Sequence, residues 1–129
     1  MRKEYLFVYG TLKRDFNHPM HKILEKYALF AGEGFVYGKL YKISWYPGLK
    51  LSLHKKDKVY GEVYLLKNPK KVFEILDKYE ECVSVNRFGE YKRIKTVAYV
   101  ENRKVKVWVY EYVKKVFKRD EISCGVFKG

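Results

Sequence analysis

Tyr5-Leu6-Phe7-Val8-Tyr9-Gly10-Thr11-Leu12 reads as a strand that runs into a glycine turn. Apolar and aromatic side chains follow one another through Tyr9 without a polar break, the pattern of a strand covered on both faces. Gly10 ends the run, and Thr11 follows with a small hydroxyl side chain. A loop of this kind can turn its backbone amides toward a ligand and hold an anion or an oxyanion without a charged side chain.

Outward from that strand, the segment from Arg14 to Pro19 reads as a loop. A helix is expected after it, because Met20, Ile23, Leu24 and Tyr27 recur at helical spacing and Pro19 suits a first helical position. Gly32 and Gly34 break the pattern, and Phe35–Ile43 reads as the next strand. Tyr46-Pro47-Gly48-Leu49 reads as a turn, Leu49–Leu53 as a short alternating strand, and Val59–Leu66 as a longer one. Asn68 and Pro69 then open a second helix as N-cap and first residue, with Val72, Ile75, Leu76 and Tyr79 on its apolar stripe. It is expected to end near Glu81 or Cys82, before Val83-Ser84-Val85. Two long strands, Tyr91–Val100 and Val105–Val113, close the chain around the turn Glu101-Asn102-Arg103. Strands predominate without regular βαβ alternation. The fold class is therefore α+β: a mixed or antiparallel sheet curled toward a small β-barrel, flanked by helices.

The chain has 129 residues, 47% of them hydrophobic, which suits one domain over 1–129 with a real core. No apolar run approaches the roughly 20 residues of a membrane-spanning helix. The charged start, Met1-Arg2-Lys3-Glu4, carries no signal-peptide pattern, so a cytoplasmic location is expected. The formal charge of +13 raises the question of a nucleic-acid partner. The lysines are scattered through every predicted element, however, and glutamine is absent while Lys, Glu, Tyr and Val abound. That favours a solvated, heat-adapted surface over a nucleic-acid footprint. Cys82 and Cys124 form no CxxC pair and are read as two thiols.

The second helix supplies a candidate acid/base group. At about 100° per residue, Glu80 lies at the edge of the apolar stripe, Glu81 on the polar face, and Asp77 farther round than Glu80. Partial burial would raise the Glu80 pKa toward the range of a general base. His18 and His21 could share a helix face but lack a third ligand, so no metal site is assigned. A GxSxG nucleophile elbow, a P-loop and a dinucleotide fingerprint are all absent.

The ordered set of segments resembles the γ-glutamylcyclotransferase-like family, which includes AIG2-like and YtfP-like proteins and γ-glutamylamine cyclotransferase. The similarity starts at Val8-Tyr9-Gly10-Thr11-Leu12 and continues through Gly38–Tyr41, Tyr46–Leu49 and Val59–Tyr64. It extends through Leu76-Asp77-Lys78-Tyr79-Glu80 and Tyr91-Lys92-Arg93 to Val107–Tyr110. The resemblance implies a small β-barrel with a cavity at its mouth, Glu80 as the catalytic residue, and Tyr9, Gly10, Thr11, Leu12 and Tyr91 as substrate-binding residues. It implies a small-molecule γ-glutamyl amine or γ-glutamyl amino acid as substrate, cyclised to 5-oxoproline with release of an amine, and no cofactor. Glu81-Cys82 stands where the family commonly has glycine and an aromatic residue. Two other readings remain beside this one: a non-catalytic module that binds a small carboxylate in the same cavity, and a basic nucleic-acid-binding protein.

Overall fold

The computed structural model describes residues 3–14, 18–80 and 89–128. Its elements are β1 (Tyr5–Val8), α1 (Pro19–Tyr27), β2 (Ala28–Lys42), β3 (Pro47–Leu51), β4 (Lys58–Leu66), α2 (Pro69–Tyr79), β5 (Tyr91–Val100) and β6 (Arg103–Tyr112). A short 3-10 turn over Lys118–Asp120 follows. The sheet order is β3-β2-β4-β1-β6-β5, and β2 also pairs with β5 at Phe35 and Tyr99. That pairing closes β2, β4, β1, β6 and β5 into a five-stranded barrel, with β3 as an outer strand on β2. All pairings are antiparallel except β1 with β6, where Leu6 lies opposite Trp108. The sheet is thus mixed.

Alternation along β1 explains its apolar run. Phe7 and Tyr9 join a core cluster with Val36, Val63, Ala98, Val107 and Val109, residues from the other barrel strands. Leu6 and Val8 face the other way and pack with Leu24 of α1 and with Val72 and Leu76 of α2. Both faces are covered, one by the barrel interior and one by the helices.

Two expectations shift. β2 runs unbroken through Gly32 and Gly34, where the sequence pattern suggested an end. A register slip between Phe30 and Gly32 marks a bulge, and Gly32 sits at φ 142°, a conformation that only glycine adopts without strain. The glycines bend the strand around the barrel. β3 starts at Pro47, two residues before the expected strand, because Pro47 and Gly48 already pair with Lys42 and Tyr41. Both helix starts follow expectation. The Asn68 side chain accepts from Lys71 N, and the His18 side chain caps α1 by accepting from Met20 N. The expectations for Glu81, Cys82 and Val83–Val85 lie outside the described residues.

Candidate active site

The loop after β1 is held from outside by its carbonyls and side chains. Gly10 O accepts from Lys13 N at 3.0 Å, and Leu12 O accepts from the His21 ring at 2.8 Å. The Thr11 hydroxyl shares a hydrogen bond of 3.1 Å with the Tyr79 hydroxyl, which in turn lies 3.3 Å from His18 Nε2. Among the described residues, no acceptor takes up the amide N–H groups of Gly10, Thr11 and Leu12. All three residues are buried. Three adjacent unclaimed amides in a buried loop form a ready site for negative charge. Gly10 is required for space: a Cβ there would lie 2.8 Å from Pro47 Cγ.

Glu80 is the C-cap of α2, its own N–H donating to Leu76 O at 2.8 Å. The residue keeps some accessible surface, but its carboxyl group is desolvated. Burial, followed by the nearby Glu90 charge, raises its pKa to about 8. The carbonyl end of α2, the negative pole of the helix dipole, acts in the same direction. No described residue forms a hydrogen bond or ion pair with the Glu80 carboxylate.

Glu80 and the loop share one cavity of about 260 Å³. Tyr9, Gly10, Thr11, Leu12, Glu80 and Tyr91, the six residues expected at a site, all line it. The tyrosine hydroxyls are committed elsewhere. Tyr9 donates to Tyr110 O at 2.6 Å and accepts from Leu49 N, while Tyr91 donates to Pro47 O at 2.6 Å. Burial holds the pKa of both phenols well above the usual value, so they stay protonated. His18 and His21 serve the helix cap and the loop rather than a shared ligand, and no metal-holding cluster of His, Cys, Asp and Glu occurs among the described residues.

Sequence reasoning missed several wall residues. Trp45 and Tyr46 come from the β2–β3 connection, Pro47 from the start of β3, and Glu90 from just before β5. It also placed Asp77 too far from the interior. Asp77 is buried, accepting from Arg93 Nε and Nη2 at 3.0 and 3.3 Å and from the Tyr110 hydroxyl at 2.6 Å. Arg93 lies over the Phe73 ring at 3.9 Å and covers that flank of α2. The Tyr-x-Arg spacing, which puts Tyr91 and Arg93 on one face of β5, was the available signal.

The sequence profile of the family described as gamma-glutamyl cyclotransferase, AIG2-like, matches residues 6–128. The chain belongs to this family. An AIG2-like protein from Mus musculus is 26% identical, with a TM-score of 0.68 over 90% of this chain and 81% of the mouse chain. YkqA from Bacillus subtilis superposes with a TM-score of 0.72 at 20% identity, over 98% of this chain and 40% of its own. An uncharacterised protein from Pyrococcus horikoshii gives 0.67 at 22% identity, over 96% and 89% of the two chains. The last two likenesses show the AIG2-like fold alone. No curated protein matches the chain in sequence. Among the described residues, no helix is long and apolar enough to cross a membrane.

Proposed function

We propose that this chain, acting as one catalytic unit, is a γ-glutamylcyclotransferase that converts a γ-glutamyl amine or amino acid to 5-oxoproline and a free amine. One observation carries the reading: a desolvated carboxyl group and three backbone amides, none of them with a hydrogen-bond partner among the described residues, share a single small cavity. The substrate's α-nitrogen attacks its own γ-carbonyl carbon. A new C–N bond forms, and the carbonyl oxygen takes the negative charge. Glu80 accepts the proton from the α-nitrogen and delivers it to the departing nitrogen as the old amide bond breaks. The α-amine arrives as an ammonium group, and a carboxylate with a pKa of about 8 is matched to removing its proton near neutral pH.

The amides of Gly10, Thr11 and Leu12 hold the substrate carboxylate or the developing oxyanion. Losing one such donor typically costs roughly 10²–10³ in rate. Tyr9 and Tyr91, with their hydroxyl protons engaged, contribute ring surface that folds the substrate toward ring closure. Intramolecular attack gains much of its speed from that folding alone.

The test is release of 5-oxoproline from a panel of γ-glutamyl amines and dipeptides. Glu80→Gln is expected to lower kcat by about 10²–10⁴. Glu74→Gln, on the exposed face of α2, keeps wild-type turnover. In the wild type, kcat/KM rises with pH and levels off above the Glu80 pKa of about 8, because the base works only when deprotonated. Unchanged turnover in Glu80→Gln would end the assignment. A small carboxylate bound at the loop, with no donor turned over, would instead favour a non-catalytic binding module.

A further inference from the structure

Among the described lysines and arginines, Lys13 alone is buried, with 6% of its surface exposed. Burying an ammonium group is costly unless its hydrogen bonds are met. Lys13 Nζ donates to Phe127 O at 3.2 Å, across 114 positions of sequence. Its backbone N–H donates to Gly10 O at 3.0 Å and closes the four-residue turn that has Thr11 and Leu12 at its centre. The segment that Lys13 reaches, residues 121–128, is itself firmly seated. Ile122 N donates to Leu40 O of β2 at 2.7 Å, and Gly125 O accepts from Tyr60 N of β4 at 2.9 Å. Gly125 stands at φ 74°, and a Cβ there would run into Lys58 O. Phe127 is 2% exposed and joins the core cluster of the barrel interior, together with Tyr9.

On the cyclotransferase reading above, we infer that Lys13 is a positioning residue for the loop Gly10–Leu12, and that it acts by fastening that loop to the segment 121–128. Backbone amides stabilise a developing charge only if they are aimed before the charge appears. A turn that begins with glycine holds its direction poorly by itself, because glycine constrains the backbone least. The residue that closes the turn therefore needs an anchor outside it. Arg14 supplies one, its N–H donating to Glu62 Oε1 of β4 at 3.0 Å. Lys13 supplies the other, on a carbonyl whose place is set by the Phe127 ring packed in the barrel. Loss of the Lys13 ammonium leaves the Glu62 anchor intact, so the loop loosens rather than unfolds. Packing does not account for a lysine here: an unbranched apolar side chain fills similar space with no charge to desolvate.

Three variants separate the possibilities. Lys13→Met keeps the stem and removes the donor, Lys13→Arg keeps a cation, and Gly125→Ala unseats the segment 121–128 while leaving the loop sequence untouched. For 5-oxoproline release, Lys13→Met is expected to lower kcat/KM by about 10–10², and Lys13→Arg to recover part of the loss. The second readout is backbone amide NMR relaxation, which depends on no reaction. In the wild type, Gly10–Leu12 and Gly125–Phe127 should both show order parameters of about 0.85; in Lys13→Met both should fall toward about 0.6, while Val72–Leu76 of α2 stays rigid. A purely structural role for Lys13 would loosen the molecule evenly or not at all. Gly125→Ala should produce the same loss of order in the loop from the other side, and it carries the test should Lys13→Met not fold. A loop that stays rigid in Gly125→Ala while 125–127 moves overturns the inference. Lys13→Arg no more active than Lys13→Met overturns it as well. In both cases the cyclotransferase reading stands. Absence of 5-oxoproline in the wild type removes that reading, and the relaxation data still decide whether Lys13 ties the loop to the segment.

Discussion

Glu80 is a carboxyl group that the fold holds at a disadvantage. Its pKa rises from 4.5 in the open chain to about 8 in the folded one, so the folded state binds the proton more tightly. Between those values the unfolded chain is the more ionised, and the Glu80 contribution to stability falls as pH rises. It is fully present below about 4.5 and lost by the time pH passes about 8. Glu80→Gln has no such charge to bury. Its melting temperature is therefore expected to exceed that of the wild type at pH about 9, with the gap closing at pH about 4. Thermal melts of both proteins across that range read the difference, and other carboxylates cancel in the comparison. A variant that is inactive and at the same time more stable in alkaline solution would identify a group kept for chemistry rather than for folding.

At the next scale, α2 is fixed by more than its apolar stripe. Asp77 ties it to β5 through Arg93 and to β6 through Tyr110. Asp77→Asn leaves the Arg93 guanidinium without its charged partner in a part-buried setting, and a loss of about 3 kcal/mol is expected by chemical denaturation. Arg93→Ala should cost a comparable amount, and the double variant less than the sum. Turnover should drop in each, because Glu80 lies three residues beyond Asp77 and moves with the end of the helix. The sequence disclosed most of the strands, both helix starts, the Asn68 cap and the edge of α2 that carries Glu80, because each follows from local chemistry: hydrophobic period, a proline at a first helical position, an angle around a helix. It hid whatever depends on a distant partner. Asp77 reads as solvated until Arg93 covers it, Gly32 and Gly34 read as a stop until the barrel curvature is known, and Trp45 and Glu90 join the site only when two connections meet.

At the scale of the whole molecule, basic residues dominate. With a formal charge of +13, the lysines and arginines repel one another across the surface. Several of the ion pairs, such as Arg14 with Glu33 and Lys39 with Asp57, have exposed partners and contribute little in return. Raising sodium chloride from about 0.02 to about 0.5 M should therefore raise the melting temperature by a few degrees, through screening of the net repulsion. Scanning calorimetry at the two concentrations measures it. The strand order has a temporal consequence as well. β1 lies between β4 and β6, and its parallel partner at Trp108 is translated about a hundred residues after Leu6. A nascent polypeptide must therefore carry this apolar strand with one edge unpaired until β6 has been made. The loop Gly10–Leu12 hangs from that strand, and it gains a fixed seat only when β6 emerges from the ribosome. A message cut short before β6 would yield a product that is both inert and adhesive, a natural client for chaperones.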